Sequence, residues 1–357
     1  VTVAIDHGRR ALTRLGLRAG LGLGLLGAGV QAASQIGHAA AVSAPLAAAD
    51  GKYWLARIQQ AAANTSYQGT LVFSAAGAVS SSRVTHICDG RQRYERIEVL
   101  DGRARVQYRH NEQALTVWPA SKLARVEQRD LVAEFPALPA APQSVLDYYD
   151  MGLLARDRIA GREAEVLMLK PRDKLRFAQR LWVDRDTGLL LRNDLLGPAG
   201  ETLESSVFSE LQLVGKWSAE SVLGPMKRLE GFRVLRPQVE RTQPDNEGWV
   251  LARPVLGFVL VACSKRSMDM AADADTPAGG STAGPVQVLQ SVFSDGLAHV
   301  SVFIEPFDAS RHKQPMGTSL GATHTMTHRQ GDWWLTVVGE VPMSTVQLFE
   351  ASFERKR

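Results

Sequence analysis

Residues 162–211 leave little choice of fold, because strand-like stretches follow one another there with only tight turns between them. The first spans 162–169 and the second 175–183. The turn at 184–188 ends in Gly188, which can take the positive φ of a tight turn. The third strand is 189–193, and after Gly197-Pro198-Ala199-Gly200 a fourth runs over 202–211. An antiparallel meander of this kind must bury one face. Leu175, Phe177, Leu181 and Val183 occupy odd positions of one strand while Trp182 faces the other way, so both faces carry large apolar groups. That pattern predicts one of two things. Either a second domain shares in covering the sheet, or the sheet curves around a concave apolar hollow that holds an acyl chain, with those four residues as its lining.

A second meander precedes it. A helix is predicted over 52–63, where Trp54, Leu55, Ile58 and Ala62 make an apolar stripe, followed by a strand over 67–73. Gly77 and the serines near 80 predict a turn. Strands are then predicted over 83–88, 92–100, 104–110 and 112–118, with Asp89-Gly90 and Asp101-Gly102 as hairpin signals. Residues 119–142 read as a loop with short helical pieces, and 145–154 as a helix with Leu146, Tyr149 and Leu153 on one side. The two meanders together predict a sheet of about eight strands that must curl round these helices or form a partly open barrel.

Residues 216–247, rich in Gly and Pro with no long periodic pattern, read as a connector holding a domain boundary. Strand-like stretches from Gly248 onward, the hairpin turns at 294–296 and 330–332, and a last helix over 345–354 with Val346, Phe349 and Phe353 on one face predict a small α+β domain. Residues 269–284 are a low-complexity loop of Ala, Asp, Thr and Gly. The division expected is a leader over 1–49, a large domain over 50–215, a linker over 216–247 and a small domain over 248–357.

Charge and the leader bound the compartment. Arg9, Arg10, Arg14 and Arg18 stand against Asp6 alone, so residues 1–49 carry +3 of the formal +4 and the rest is nearly neutral, which gives no reason to expect a nucleic-acid partner. Basic residues, a short apolar run over 19–30 and a small-residue tract follow the order of a secretory signal peptide, with cleavage expected after Ala49, or else Ala39 or Ala44. No later stretch is apolar enough to span a bilayer, so an exported soluble protein is expected. Cys88 and Cys263 either bridge or remain separate thiols.

The residues do not assemble into a familiar catalytic motif. There is no HExxH and no Gly-x-Ser-x-Gly, and Asp184, Asp186 and Asp194 sit where turns ordinarily place aspartate. The glycine-rich leader lacks a preceding strand and a phosphate-loop lysine. No enzymatic activity, metal or cofactor is expected.

Several ordered stretches resemble the RseB/MucB family of periplasmic regulators of the envelope-stress sigma factor, sigma-E. They are 66–73 (Ser-Tyr-Gln-Gly-Thr-Leu-Val-Phe), 95–102 (Glu-Arg-Ile-Glu-Val-Leu-Asp-Gly), Gly161-Arg162 with its strand, and 181–189 (Leu-Trp-Val-Asp-Arg-Asp-Thr-Gly-Leu). In the second domain they are 293–297, 300–305 and 338–342. The resemblance implies a fold: an unclosed antiparallel β-barrel like the lipoprotein carriers LolA and LolB, with helices on its concave side, then a small C-terminal domain. It also implies an activity, namely binding the periplasmic part of the anti-sigma factor RseA/MucA, shielding it from the site-1 protease, and release by lipopolysaccharide or a related lipid. A tendency to self-associate is expected with it. Trp249, Pro254, Gly257 and Phe258 match the family's opening of the second domain, while Val255-Leu256 and Val259-Leu260 make this stretch more apolar than the family pattern. Phe303, the Trp333-Trp334 pair and the turn Arg311-His312-Lys313 are candidate partner contacts, since aromatic and cationic groups commonly anchor interfaces. The competing reading of Trp333-Trp334 is one core residue and one packed on the terminal helix. The competing function is a lipid or lipoprotein carrier, which the first domain alone would suit.

Overall fold

The computed structural model describes residues 46–90, 92–128, 142–268, 286–312 and 314–356. Residues 1–45 of the leader expected over 1–49, all of the 269–284 loop and Lys313 lie outside the described residues. Helix α1 (Ala48–Asn64) leads into β1 (Tyr67–Ala75), β2 (Ala78–Cys88), β3 (Arg93–Val99), β4 (Val106–His110), β5 (Gln113–Trp118) and β6 (Leu123–Gln128). Helix α2 (Pro142–Tyr148) is followed by β7 (Tyr149–Leu153), β8 (Asp157–Ile159), β9 (Arg162–Pro171), β10 (Ala178–Asp184), β11 (Leu190–Leu196) and β12 (Thr202–Gln212). Helix α3 (Glu220–Lys227) and β13 (Arg233–Leu235) complete this half.

The strands form one 13-stranded sheet in the order β13-β6-β5-β4-β3-β2-β1-β12-β11-β10-β9-β7, with β8 paired to β9. The end strands β13 and β7 do not pair with each other, so the sheet is unclosed, as expected. The strand count exceeds the eight predicted, for identifiable reasons. Residues 149–153, predicted as helix, form β7 because their backbone pairs with β9 from Tyr149↔Pro171 to Leu153↔Leu167. Their apolar spacing fits either period, and the open edge of β9 decides. Leu123–Gln128, read as loop, is a strand whose alternation hides behind Arg125 and Glu127. The serines near 80 lie inside β2, paired across to Val72 and Phe73, and the turn is Ala76-Gly77 alone, both at positive φ. In the main meander Leu175 and Phe177 precede β10 rather than lying on it.

One face of this sheet, called inner below, lies under α1 and α2. Leu55 and Ile58 of α1 and Val145 of α2 meet Leu167, Leu169, Leu181, Val183 and Leu190 there. Each of these is at most 1% exposed, and full burial of such a side chain contributes about 1.5–3 kcal/mol. The opposite face holds Val166, Trp182 and Leu191, with the Trp182 indole N–H donating to Asp157 Oδ2 at 2.8 Å. The turn after β10 is built by Asp184, whose Oδ1 accepts from Thr187 N and Thr187 Oγ1, both at 2.8 Å. Gly188 has φ +82°, and a Cβ there would lie 2.7 Å from Arg57 Cγ of α1. The glycine therefore serves both the turn and the close approach of the helix. Helix α3 covers the outer face of β3 and β4 through Val222, which packs with Ile87 and Tyr94.

The smaller half contains β14 (Val239–Arg241), β15 (Trp249–Leu251), β16 (Val259–Met268), β17 (Val286–Ser294), β18 (His299–Pro306), β19 (Met316–Leu320), β20 (Thr323–Gln330), β21 (Trp333–Gly339), α4 (Met343–Ser352) and β22 (Phe353–Arg355). Seven strands form an antiparallel sheet in the order β14-β16-β17-β18-β21-β20-β19, and β15 pairs with β22. Val346 and Phe349 of α4 pack with Val300, Val302, Ile304, Leu335 and Val337, the single-helix α+β arrangement the sequence predicts. The connector is divided between the two sheets: β13 adds to β6 in parallel, and β14 adds to β16.

Candidate functional site

The two halves meet along a seam built by the strap between β9 and β10. Arg176, on that strap, has a side chain 0% exposed. Its guanidinium lies 4.6 Å from the Tyr148 ring, 5.1 Å from Phe258 and 5.8 Å from Tyr149. Its Nη2 donates to Leu256 O at 2.7 Å, and its Nε lies 3.1 Å from Asp295 Oδ2 in an ion pair whose N–H is not aligned as a hydrogen bond. Asp295 Oδ1 accepts from the amides of Leu297 at 2.8 Å and Ala298 at 2.7 Å, and Tyr149 donates its hydroxyl to Oδ2 at 3.2 Å. Burial pushes the Asp295 carboxyl above the usual range, and those two amides and Arg176 oppose the shift. Burial, followed by the neighbouring Asp295, drives Tyr149 well above an ordinary phenol. A charge this enclosed is tolerable only because it is paired and hydrogen-bonded.

A second polar contact crosses the seam at Glu204 of β12. Its Oε1 accepts from Ala322 N at 3.0 Å, Thr323 N at 3.1 Å and Thr323 Oγ1 at 3.0 Å. Burial is the main cause of its pKa rising to about 8, with Glu340 adding to it. Gly257 has φ +83°, and a Cβ there would come within 2.9 Å of both Arg176 Nη2 and the Tyr148 ring, so the small domain can reach the strap only with a glycine at this position. Apolar contacts run beside these. Leu297 of the small domain packs into the core under α1, and Leu175 packs against the small domain's core.

The four residues expected to line an acyl hollow are divided by this arrangement. Leu181 and Val183 are sealed under α1 and α2. Leu175 and Phe177 belong to the seam. Thr345 donates to Leu175 O at 2.8 Å, and Phe177 packs with Ala322 and lies 6.0 Å from the His324 ring. A cavity of about 30 Å³ opens where the β1–β2 hairpin meets the β19–β20 hairpin, lined by Phe73, Val79, Glu204, Leu320 and Thr323 among others. None of the four expected residues lines it.

The expected partner contacts fall on both faces of the second sheet. Phe303 packs with Val288 and Val338 on the face away from α4. Trp334 shares that face and stacks on His312, with ring centroids 4.8 Å apart and planes 5° apart. Trp333 points to the α4 side, edge-on to Trp249 at 5.8 Å, with the Arg355 guanidinium 5.0 Å from its ring. Arg311 is paired with Glu305 at 3.0 Å and Asp308 at 3.1 Å. These residues are thus not one patch. The seam residues Arg176, Glu204 and Asp295 were missed in the sequence. Asp295 reads as a turn residue before Gly296, and the only signal at Arg176 is a charge in the middle of an apolar alternation.

An unclosed sheet sealed by two helices and joined along a seam to a single-helix α+β domain defines a two-domain class of protein, and both halves match one family. Residues 50–226 match the MucB/RseB N-terminal domain and 243–354 the MucB/RseB C-terminal domain, so the chain belongs to the MucB/RseB family. It is 31% identical over 307 residues to the sigma factor AlgU regulatory protein MucB of Pseudomonas aeruginosa, covering 84% of this chain and 89% of that one. It is 23% identical to the sigma-E factor regulatory protein RseB of Haemophilus influenzae, covering 83% of this chain and 88% of that one. A crystal structure of MucB in complex with MucA(peri) superposes with a TM-score of 0.63 at 27% identity, over 87% of this chain and all of that one.

Proposed function

We propose that this chain is a periplasmic regulator of an envelope-stress sigma factor and acts by binding the periplasmic segment of a MucA-type anti-sigma factor. The observation that carries the reading is likeness over both domains to a MucB structure that holds MucA(peri), with 27% of residues identical. In this reading the protein is exported, is not an enzyme, and works by steric occlusion. The bound anti-sigma segment is kept from site-1 cleavage, and lipopolysaccharide or another acyl ligand entering the first domain shifts the population away from the binding form. Phe303, Arg311, Lys313, Trp333 and Trp334 are the proposed partner contacts. Leu175, Phe177, Leu181 and Val183 are the proposed lipid contacts, which requires α1 and α2 to lift from Leu181 and Val183 and the small domain to part from Leu175 and Phe177. Self-association belongs to the same proposal. So does a division into a large domain over 50–215, a linker over 216–247 and a small domain over 248–357.

The test is titration of the mature protein with the anti-sigma periplasmic segment, repeated with lipopolysaccharide. Tight binding weakened by the lipid is expected. Binding indifferent to the lipid would remove the trigger and keep the regulator. Capture of an acyl ligand with no binding of the segment would favour a lipid or lipoprotein carrier, a reading that the apolar core beneath α1 and α2 supports.

A further inference from the structure

A row of polar side chains on the inner face, under the last turn of α1, is unused by the proposed function. Strand pairing places Tyr67 beside His86, His86 beside Glu95, and Glu95 beside Arg109, across β1 to β4. Cys88 lies two residues beyond His86 on the same face. Its Sγ is 3.0 Å from His86 Nε2, and His86 Nδ1 is 3.3 Å from Glu95 Oε1. The other Glu95 oxygen is 3.3 Å from Arg109 Nη1. The Tyr67 ring stacks on the imidazole at 5.1 Å, which fixes the plane of His86. A nucleophile, an imidazole and an orienting carboxylate, each within reach of the next, is the arrangement that activates a thiol. Burial disfavours the charged imidazole, but its contacts with Cys88 and Glu95 outweigh that and raise its pKa to about 9. An imidazolium here donates from Nδ1 to Glu95 and holds its Nε2 proton against sulfur, where a departing oxygen can take it. Cys88 is half-buried, whereas Cys263 is buried, and burial pushes the Cys263 thiol up.

We propose that Cys88 is a modification site, a thiol set up by His86 and Glu95 for oxidation by a hydroperoxide. The Cys88 thiol, which donates to Ala63 O at rest, gives its proton to water, and the thiolate attacks the terminal peroxide oxygen. The S–O bond forms as the O–O bond breaks, sulfur loses two electrons and the peroxide gains them. The departing alkoxide or hydroxide takes the proton from His86 Nε2 and leaves as an alcohol or water. The product is a sulfenic acid at Cys88 and a neutral imidazole. Cys88 Sγ also donates to Ala63 O at 2.9 Å, in the last turn of α1. The added oxygen takes the place of that contact, so oxidation loosens the end of the helix that seals the inner face.

The test treats the mature protein with hydrogen peroxide, traps sulfenic acid with dimedone, and reads both cysteines by mass spectrometry. Alkylation by iodoacetamide is followed from pH 5 to 9 in parallel. Cys88 is expected to form the adduct and to alkylate at least about tenfold faster than Cys263 at pH 6.5, with the advantage lost in His86→Gln and reduced in Glu95→Gln. Thermal melting checks that the variants fold, and Cys88→Ser must abolish the adduct. Absence of a dimedone adduct in the wild type overturns the proposal. So does a Cys88 alkylation rate at pH 6.5 that is unchanged in folded His86→Gln.

Discussion

Arg176→Met keeps an unbranched side chain in the seam and deletes its charge. The change removes the 2.7 Å bond to Leu256 O and leaves Asp295 buried without its cation, both side chains of the pair being 0% exposed. Removing one partner of a buried ion pair costs about 3–5 kcal/mol, because the remaining charge keeps its desolvation penalty. Asp295 retains the Leu297 and Ala298 amides and the Tyr149 hydroxyl, which places the expectation at the low end, about 3 kcal/mol. The loss falls on contacts that join the halves. Urea unfolding followed by tryptophan fluorescence and circular dichroism should therefore show a lower midpoint and two separated transitions in place of one. Asp295→Asn completes a double-mutant cycle. The double variant should cost less than the sum of the singles by at least about 1 kcal/mol. An Arg176→Met cost below about 1 kcal/mol, or additivity within about 0.5 kcal/mol, would refute the assignment of the seam to this pair.

Three further expectations follow from the same contacts. The Glu204 carboxyl is pushed up to about 8 in the folded protein against about 4.3 unfolded, so the fold binds the extra proton. Its contribution is therefore full below pH 4.3 and lost as pH rises through 8, and Glu204→Gln should flatten the fall in melting temperature between pH 5 and 8. An equal slope in the variant would assign the effect elsewhere. Gly188→Ala should cost at least about 1–2 kcal/mol by denaturant unfolding, since the new Cβ meets Arg57 at positive φ, and a neutral result would mean α1 sits less closely than described. Arg311→Ala, whose ion pairs are partly exposed, should change stability by less than about 1 kcal/mol while weakening anti-sigma binding several-fold by calorimetry. Unchanged affinity would remove Arg311 from the contact set.

Much of the architecture is legible in the sequence because antiparallel pairing announces itself locally. Asp89-Gly90 and Asp101-Gly102 punctuate the hairpins, and Gly188 closes a turn built by the aspartate before it. The misreadings share one cause, which is that long-range pairing decides where local pattern is ambiguous. Tyr149–Leu153 becomes a strand because the edge of β9 accepts it, and Leu123–Gln128 does so although its inward-facing groups are charged. The seam was illegible for a related reason. Nothing near Arg176 in sequence says that Asp295 and Leu256 will enclose it, and the aromatic rings that surround it come from two segments far from it in sequence, Tyr148-Tyr149 and Phe258.

The division of the connector sets how far the halves can part. Only Arg236, Pro237 and Gln238 separate β13 from β14, and Gln238 O already accepts from Ser267 N at 3.2 Å. Fully extended, the chain from Leu235 to Val239 spans about 14 Å. A freely flexible 32-residue tether would average about 30 Å. With both short strands in place, the small half can therefore pivot about Pro237 but cannot drift away. A wider opening must first strip β13 from β6, breaking the Arg233–Leu235 pairing and baring the backbone edge of Leu123–Gln128. Separation of the halves is in that sense geared: beyond a modest angle, each further ångström requires unpairing a strand and presents a new edge to whatever extended peptide is nearby.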